Sequence, residues 1–308
     1  MSGRMRKYAN QSTKLGRFLA RNGGNLWGGL WREIFTKLYL RPRFRRLIAP
    51  WFRIREPRTW LFLVGCYNSG TTILRDILQA HPDVSGLPFE GVKFTSAFPD
   101  LERQDWPRMM YRFRDDWDLA DERADDVVAR AKRDWAPWWR RGALVFLEKS
   151  IDHSTRIAWL DRHFGDTAFI GIIRNGYAVS EGVLRRSRPG PDAVRELGQE
   201  TYPLDDVGQQ WRVFADRIEH DLGQVQNGLL LRYETLMHDP VTTMSQVYGF
   251  LGLPIPKMSF ADGVLDIEGT RFRLENQDQI AIARLTPLQK TGLAQAMSPT
   301  IDRFEYHV

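Results

Sequence analysis

The sequence has little cysteine and little histidine, with one cysteine, Cys66, and six histidines among 308 residues. A single cysteine excludes an internal disulfide, and no cysteine or histidine has the spacing of a zinc site. The thiol of Cys66 is either a reactive group or a small buried side chain. We expect the second, because free cysteine is commonly a core residue.

Long apolar runs are also absent. No uninterrupted apolar stretch approaches the roughly 20 residues that span a bilayer. The start of the chain mixes Arg4, Arg6, Lys7 and Lys14 with polar residues and contains no apolar signal-peptide core. These features predict a cytoplasmic protein without a transmembrane anchor, and they leave peripheral contact with a membrane open.

What the chain does have is an excess of basic residues, with a formal net charge of +6 that is concentrated near the N-terminus. Such an excess suits anionic small ligands, nucleic acid or an anionic membrane, and charge alone does not choose among them. No nucleic-acid-binding motif accompanies the charge. We therefore expect no nucleic-acid partner.

Residues 1–57 form a basic N-terminal extension that carries an apolar stripe at helical spacing. The stripe consists of Trp27, Leu30, Trp31, Ile34, Phe35, Leu38 and Tyr39. Basic residues follow it from Arg41 to Arg46. This pattern fits an anionic membrane surface, with tryptophan at the headgroups. It equally fits a helix packed on the main domain, or a subunit contact, with the charged face in water.

Residues 60–80, WLFLVGCYNSGTTILRDILQA, change from an apolar run to a turn of small residues and then to a helical pattern. Gly65 and Gly70 frame the turn, where backbone N–H groups and the start of a helix would face an anion. An ordinary strand-to-helix turn has the same short pattern. The glycine spacing matches a P-loop, but Thr71 stands where a nucleoside triphosphatase has lysine. The departure predicts a cradle for a phosphate that is not transferred.

From Arg58 onward, apolar runs alternate with helical patterns. Strands are predicted at 59–65, 143–147, 167–173 and 229–231, and helices at 71–80, 154–164, 177–186, 205–222 and 240–251. Strands that are apolar on both faces and alternate with helices predict an α/β fold, in which helices flank a central parallel sheet over residues 58–308. A tryptophan-rich stretch at about 100–141 is predicted to be a helical insertion. Ligands bind at the carboxyl ends of such strands, which would bring together 65–72, 148–150 and Arg174.

Five blocks, in this order, resemble the sulfotransferases that use 3′-phosphoadenosine 5′-phosphosulfate (PAPS). They are GCYNSGTTILRDIL, HPDVSGLPFEGVKF, LEKSIDHSTRIAWL, FIGIIRNGYAVSEGVLRR and LLLRYETLMHDPVTTMSQVYGFLGLP, and together they cover about residues 59–255. The glutamate of the second block is similar to the carbohydrate and tyrosylprotein branch, whereas the small-phenol branch has histidine there. The resemblance implies a P-loop-like three-layer sandwich, PAPS as co-substrate without a metal, and sulfuryl transfer to a hydroxyl or amine.

The resemblance also implies residues that hold the donor. Sulfuryl transfer leaves both nucleotide phosphates on the product, so the loop would hold a spectator 5′-phosphate through preorganised donors. These donors are Ser69, Gly70, Thr71 and Thr72. The family usually has lysine or arginine where this sequence has Asn68, which we expect to act as a neutral donor.

Catalytic and 3′-phosphate residues follow from the other blocks. Lys149 matches a second basic residue at the sulfuryl group, and Glu90 matches the general base that accepts the acceptor proton. Arg174 matches the arginine on the 3′-phosphate, where a guanidinium fork suits phosphate oxygens. The usual serine partner falls eight residues later, at Gly182, so either Ser180 replaces it through a shifted turn or this second contact is missing.

Further contacts are implied at the end of the family pattern. Arg186 and Tyr233 match nucleotide contacts, although a tyrosine after a buried strand is as often a core residue. A late basic loop often closes the 3′-phosphate site. Its loose match here is Gly269, Thr270, Arg271 and Arg273, and a charged surface loop has the same composition.

The leading hypothesis is a sulfotransferase that acts on a carbohydrate or lipid-linked hydroxyl. Tryptophans of the insertion either stack on sugar rings or pack in the interior, and we expect packing for most of them. A P-loop kinase of a small metabolite is the enzyme alternative, although it needs a lysine and magnesium ligands that the sequence does not place. A basic membrane-binding module without enzymatic activity is the third hypothesis, and the location of the basic surplus outside the alternating domain weighs against it.

Overall fold

The computed structural model describes residues 26–99 and 101–308, and these fall into two compact units divided between Arg53 and Ile54. The N-terminal unit contains helices α1 (Leu26–Tyr39) and α2 (Pro42–Ile48), followed by a 3₁₀ turn at Ala49–Trp51. The part of the predicted extension at 1–25 lies outside the described residues. No helix in the described chain is both long and apolar enough to cross a bilayer.

An aromatic cluster holds the N-terminal unit together. The ring of Phe35 lies 5.6 Å from Tyr39 in the same helix, 6.3 Å from Phe44 in α2 and 6.4 Å from Phe52. Pro42 begins α2, a position where the missing proline N–H costs no helical hydrogen bond. The predicted stripe is therefore divided, because some of its aromatic side chains form this cluster while Trp31 stays 69% exposed.

A five-stranded parallel sheet with the order β2-β3-β1-β4-β5 forms the centre of the second unit. Its strands are β1 (Thr59–Gly65), β2 (Val84–Gly86), β3 (Val145–Lys149), β4 (Thr167–Ile173) and β5 (Gly228–Arg232). Every residue of β3 and β4 is buried, as is all of β1 except its first residue. Burial on both faces explains why these strands are continuous apolar runs.

Helices cover both faces of the sheet. They are α3 (Thr71–Leu78), α4 (Ala124–Trp135), α5 (Ile157–Phe164), α6 (Gly176–Arg186), α7 (Pro191–Leu197), α8 (Leu204–Leu222), α9 (Tyr233–His238), α10 (Pro240–Phe250), α11 (Asp278–Ala283), α12 (Pro287–Met297) and α13 (Thr300–Arg303). Leu61 and Leu63 of β1 face an aliphatic core shared with α3, α9 and α10. On the other face, the Phe62 ring stacks on Phe169 at 5.4 Å and meets Phe164 of α5 edge-on at 5.1 Å. The predicted α/β three-layer architecture is confirmed.

The insertion is less helical than the sequence predicts. It contains one α-helix, α4, within the described residues, together with 3₁₀ turns at Met110–Asp116, Asp121–Arg123 and Ala136–Trp138. Its buried tryptophans pack in the interior; Trp135, for example, lies 6.2 Å from Trp60 and 5.8 Å from Phe164. This packing supports the structural interpretation of most of the tryptophans over a sugar-stacking one.

The C-terminal region holds a second sheet that the sequence does not predict. Strands β6 (Met258–Ala261), β7 (Val264–Ile267) and β8 (Thr270–Arg273) pair antiparallel in sequence order. Gly269, at φ +88°, makes the turn between β7 and β8, and Arg271 forms an ion pair with Asp266 at 3.0 Å. Four-residue strands that are half polar give too little alternation to be recognised in a sequence.

Candidate active site

A cleft of about 820 Å³ lies where the sheet strands β1, β3 and β4 end. Carboxyl ends of neighbouring parallel strands share one edge of the sheet, and the sequence-predicted residues follow several of those ends. The predicted residues that line the cleft are Asn68, Gly70, Thr71, Thr72, Glu90, Lys149, Arg174, Arg186 and Tyr233. Ser69 and Ser180 are the predicted residues that do not line it.

The loop between β1 and α3 is shaped by two glycines. Gly70 has φ +94°, and a Cβ there would lie 2.6 Å from Cδ2 of Tyr233. A Cβ on Gly65 would lie 2.8 Å from the carbonyl oxygen of Ile172. The loop can therefore close tightly onto β4 and Tyr233 only with glycine at both positions. The first N–H groups of α3 lack intrahelical acceptors, and Thr71 and Thr72 bring them to the cleft.

Ser69 supports the loop from inside. Its side chain is fully buried, and its hydroxyl donates to the carbonyl oxygen of Cys66 at 2.6 Å. Its backbone N–H donates to the same carbonyl at 3.3 Å. Cys66 is buried as well, and burial raises the pKa of its thiol far above the ordinary range. The thiol is therefore protonated and inert, as expected for a core cysteine.

Asn68 is the contact point of three arginines. Its side-chain Oδ1 accepts hydrogen bonds from Nη1 of Arg186 at 3.0 Å and from Nη1 of Arg108 at 3.3 Å. Its backbone carbonyl accepts from Nη1 of Arg174 at 2.7 Å. The loop contains no basic residue, and three arginines from other parts of the fold contact it.

Of the two alternatives for the missing serine, replacement by Ser180 through a shifted turn does not fit this geometry. Helix α6 runs without interruption from Gly176 to Arg186, so no turn is shifted. Two residues along a helix rotate a side chain by about 200°, which points Ser180 away from the face of Gly182. The Ser180 hydroxyl is fully buried and lies 4.0 Å from Sδ of Met297, whereas Gly182 lines the cleft.

The absence of a side chain at Gly182 leaves space for the side-chain amide of Asn68. A Cβ on residue 182 would lie 2.8 Å from Nδ2 and 3.0 Å from Cγ of Asn68. The amide Nδ2 also lies 3.5 Å from the carbonyl oxygen of Val179, in the same helix. The two departures from the family pattern, at 68 and 182, are thus in direct contact.

Arg174 lies at the end of β4 with its guanidinium above the ring of Tyr233, 4.2 Å from the ring centroid. Its Nε donates to Oδ1 of Asp278 at 2.7 Å. Tyr233 in turn donates its hydroxyl to the carbonyl oxygen of Glu275 at 3.3 Å. These contacts fix the direction of a mostly buried cation at the cleft edge.

Glu90 and Lys149 form an ion pair in the cleft, with Nζ 2.8 Å from Oε1 of the carboxylate. Lys93 lies 3.4 Å from the other carboxylate oxygen. Burial by itself would raise the pKa of Glu90, but the two lysines outweigh burial, and the pKa falls below its ordinary value. Glu90 is therefore ionised at neutral pH.

The backbone that follows Glu90 donates hydrogen bonds to the two residues that flank Lys149. The N–H of Gly91 donates to Oε1 of Glu148 at 2.7 Å, and the N–H of Val92 donates to the hydroxyl of Ser150 at 3.2 Å. Glu148 is fully buried, and burial raises its pKa to about 8. Residues 148–150 thus contact the Glu90 loop in two ways. Lys149 pairs with the carboxylate of Glu90, while the side chains of Glu148 and Ser150 accept hydrogen bonds from the backbone of the next two residues.

The cleft residues that the sequence-based prediction missed include Tyr67, Arg108 and Arg284. Arg284 follows α11 and lies 3.3 Å from Glu181, which also pairs with Arg185 at 2.7 Å. The predicted late loop at 269–273 does not line the cleft, and Gln277, Ala281 and Arg284 do. Within residues 26–99 and 101–308, no three histidine, cysteine, aspartate or glutamate side chains form a group that could hold a metal ion.

The sequence model described as the sulfotransferase family matches residues 61–257. No curated protein matches the chain. A sulfotransferase from Alicyclobacillus acidocaldarius is 19% identical, with a TM-score of 0.48, over 82% of this chain and 95% of that one. Sulfotransferase STF9 from Mycobacterium avium is 13% identical, with a TM-score of 0.48, over 100% and 99%. Mouse sulfotransferase SULT7A1, solved with PAP, is 17% identical, with a TM-score of 0.40, over 81% and 86%.

Proposed function

Because the chain belongs to the sulfotransferase family, we propose that it transfers a sulfuryl group from PAPS to a hydroxyl of a carbohydrate or lipid-linked acceptor. The observation that carries the proposal is the pairing of a phosphate-cradling loop with the Glu90–Lys149 ion pair in one cleft. The cradle lacks the lysine of a nucleoside triphosphatase, and the ion pair supplies a base and a cation beside it. This combination suits the transfer of a sulfuryl group from a phosphate that itself stays bound in the loop.

The cleft residues fit a nucleotide with two phosphate positions. The N–H groups and hydroxyls of Thr71 and Thr72 would hold the 5′-phosphate, as helix N-termini commonly do. Arg174, Arg186 and Arg284 would hold the 3′-phosphate, since guanidinium forks match phosphate oxygens. When bound, PAPS supplies an activated sulfuryl group on its 5′-phosphate.

Glu90 and Lys149 would divide the chemical work. Glu90, ionised because its pKa is lowered, accepts the proton from the acceptor hydroxyl. Lys149 places positive charge beside the carboxylate, where negative charge grows on the sulfuryl oxygens. The position of Lys149 at the end of β3 keeps its ammonium group fixed before reaction.

The acceptor class is inferred from the glutamate-bearing block of the sequence. A carbohydrate or lipid-linked hydroxyl presents a weakly acidic alcohol, which needs a positioned base. The expected result is transfer of radiolabelled sulfate from PAPS to extracted cellular glycans or glycolipids in the presence of EDTA. Transfer only to small phenols would overturn the acceptor class, and metal-dependent phosphate transfer from ATP would support the kinase alternative.

We also propose that the N-terminal unit binds an anionic membrane surface. Trp31 is 69% exposed, Leu47 67% and Trp51 83%. The exposed cations Arg41 and Arg46 lie near these side chains in sequence. Exposed tryptophan beside arginine suits the boundary between headgroups and water.

Vesicle binding tests the membrane proposal. Trp31→Ser combined with Trp51→Ser is expected to weaken sedimentation with phosphatidylserine-containing vesicles by about tenfold, because two interfacial anchors are lost. Leu288→Ser removes an equally exposed apolar side chain from the second unit and serves as the control. Equal binding by the double variant and the control would contradict the proposal and favour a protein contact.

A further inference from the structure

The loop that cradles the donor phosphate contains no basic residue between Gly65 and Thr72. Yet breaking the bond to the 5′-phosphate places negative charge on the leaving oxygen beside this loop, and preorganised positive groups stabilise such charge. The cation must therefore come from elsewhere in the fold. Two arginine side chains donate to the side-chain oxygen of Asn68, and one of them comes from the insertion.

Arg108 is the residue that the insertion contributes. Its backbone takes φ +64°, an uncommon conformation for a residue with a side chain. Its N–H donates to Oε1 of Glu102 at 3.2 Å, and its guanidinium lies 5.8 Å from the ring centroid of Tyr67. Its Nη1 then donates to Oδ1 of Asn68 at 3.3 Å. Backbone, ring and amide together direct this guanidinium to the tip of the loop.

A second guanidinium group lies close to that of Arg108. Arg186 donates to the same oxygen of Asn68, so two guanidinium groups share one neutral acceptor. Burial lowers the pKa of Arg186, and the nearby charges of Arg185, Arg108 and Arg174 lower it further. Like charges at this distance repel, and although Glu181 partly offsets the repulsion at Arg186, an anionic ligand between the guanidinium groups would offset it further.

We infer that Arg108 is a catalytic residue, which contacts the phosphosulfate at the leaving oxygen and supplies the charge that the loop lacks. The inference rests on the proposed sulfuryl transfer. In that step the acceptor oxygen forms a bond to sulfur while the bond from sulfur to the 5′-phosphate oxygen breaks. The bonding electron pair passes to that leaving oxygen, and the acceptor proton passes to Glu90. Arg108 stabilises the electron pair, and Asn68 holds Arg108 in place.

Arg108→Gln tests the inference because it keeps a hydrogen-bond donor and removes the charge. We expect kcat to fall by about 10²-fold, as for the loss of one preorganised donor at a developing charge. The Kd of adenosine 3′,5′-bisphosphate, measured by calorimetry, should weaken by about tenfold, since one cation at the 5′-phosphate is lost. Arg108→Lys should recover part of both losses because it restores the charge.

Arg103→Gln is the matched control. Arg103 belongs to the same insertion, but its guanidinium pairs with Asp116 at 2.5 Å on the surface. We expect this variant to leave kcat and Kd within about twofold, as exposed ion pairs contribute little. Thermal unfolding of all three variants checks that the insertion stays folded.

The outcomes separate the two proposals. Unchanged bisphosphate affinity and kcat in Arg108→Gln would overturn the role of Arg108 while sulfuryl transfer by the wild type remained. Equal losses in Arg103→Gln would also overturn it, because they would indicate a general effect of the insertion. If the wild type transfers no sulfate, the proposed function fails, and the calorimetric titration still decides whether Arg108 contacts the nucleotide.

Discussion

Replacing the Glu90 carboxylate by an amide, in Glu90→Gln, is expected to lower kcat roughly 10²–10⁴-fold, the usual contribution of a positioned general base. The side chain keeps its size and its position in the cleft, so affinity for adenosine 3′,5′-bisphosphate should stay within about twofold. Steady-state rates with the identified acceptor, together with calorimetry, measure both quantities. The loss would then belong to the proton transfer and not to nucleotide binding.

The pH dependence of the wild type gives the same carboxylate a second test. Lys149 and Lys93 lower the pKa of Glu90, so the base stays ionised to a lower pH than an ordinary glutamate does. The acid limb of kcat/KM should therefore fall below the ordinary glutamate range of about 4.3. The ion pair stabilises the fold above the unfolded-state pKa, and this contribution is lost as pH falls through the lower folded-state pKa.

Glu122→Gln is the control for Glu90→Gln, since Glu122 is an exposed glutamate of the insertion. Its kcat and pH profile should match those of the wild type. If Glu90→Gln retained more than about a tenth of wild-type kcat, Glu90 would not be the base. An acid limb unchanged between Glu90→Gln and wild type would lead to the same conclusion.

Lys149→Met should have the second largest effect, a fall in kcat of about 10²–10³-fold, comparable with the loss of one oxyanion donor. Lys149 is 5% exposed, and its Nζ lies 2.8 Å from Glu90. Burial raises the pKa of Glu90, and Lys149 is the main group that lowers it. Without Lys149 the pKa of Glu90 therefore rises. The acid limb of kcat/KM should move to higher pH in this variant, and a pH–rate profile would record the shift.

Lys93→Met is the matched control for Lys149→Met. Both lysines approach the same carboxylate, but the Lys93 side chain is 60% exposed and its Nζ lies 3.4 Å from the carboxylate. An exposed partner contributes little, so kcat should change by less than about fivefold. Equal losses in the two variants would reduce Lys149 to a tether for Glu90 and remove its role at the sulfuryl group.

The central sheet was predictable because its strands are continuous apolar runs that can be recognised in the sequence alone. The predicted bounds of two strands, Thr59–Gly65 and Thr167–Ile173, are those of the structure. Both are apolar on two faces, and polar or small residues follow them, the small-residue loop after Gly65 in one case and Arg174 in the other. Residues at strand ends or directly after them, such as Lys149 and Arg174, were therefore predictable members of the cleft.

The remaining site residues depend on tertiary contacts that leave no local pattern. Arg108 reaches the cleft through an unusual backbone conformation in a segment of short 3₁₀ turns, and no spacing relates it to Asn68. Ser180 was chosen by its distance along the chain, but the phase of α6 decides which side chain faces the cleft. Arg284 follows a short helix near the C-terminus, where the sequence has no family block.

The contact between Asn68 and Gly182 couples the residue types that these two positions can carry. A serine at 182 would push its Cβ against an amide that is already held by Arg108 and Arg186. Substitution at 182 is therefore unfavourable while asparagine occupies 68, and a cation at 68 would meet two arginines already there. Either single change would conflict with the present contacts, so we expect positions 68 and 182 to change together among relatives of this chain.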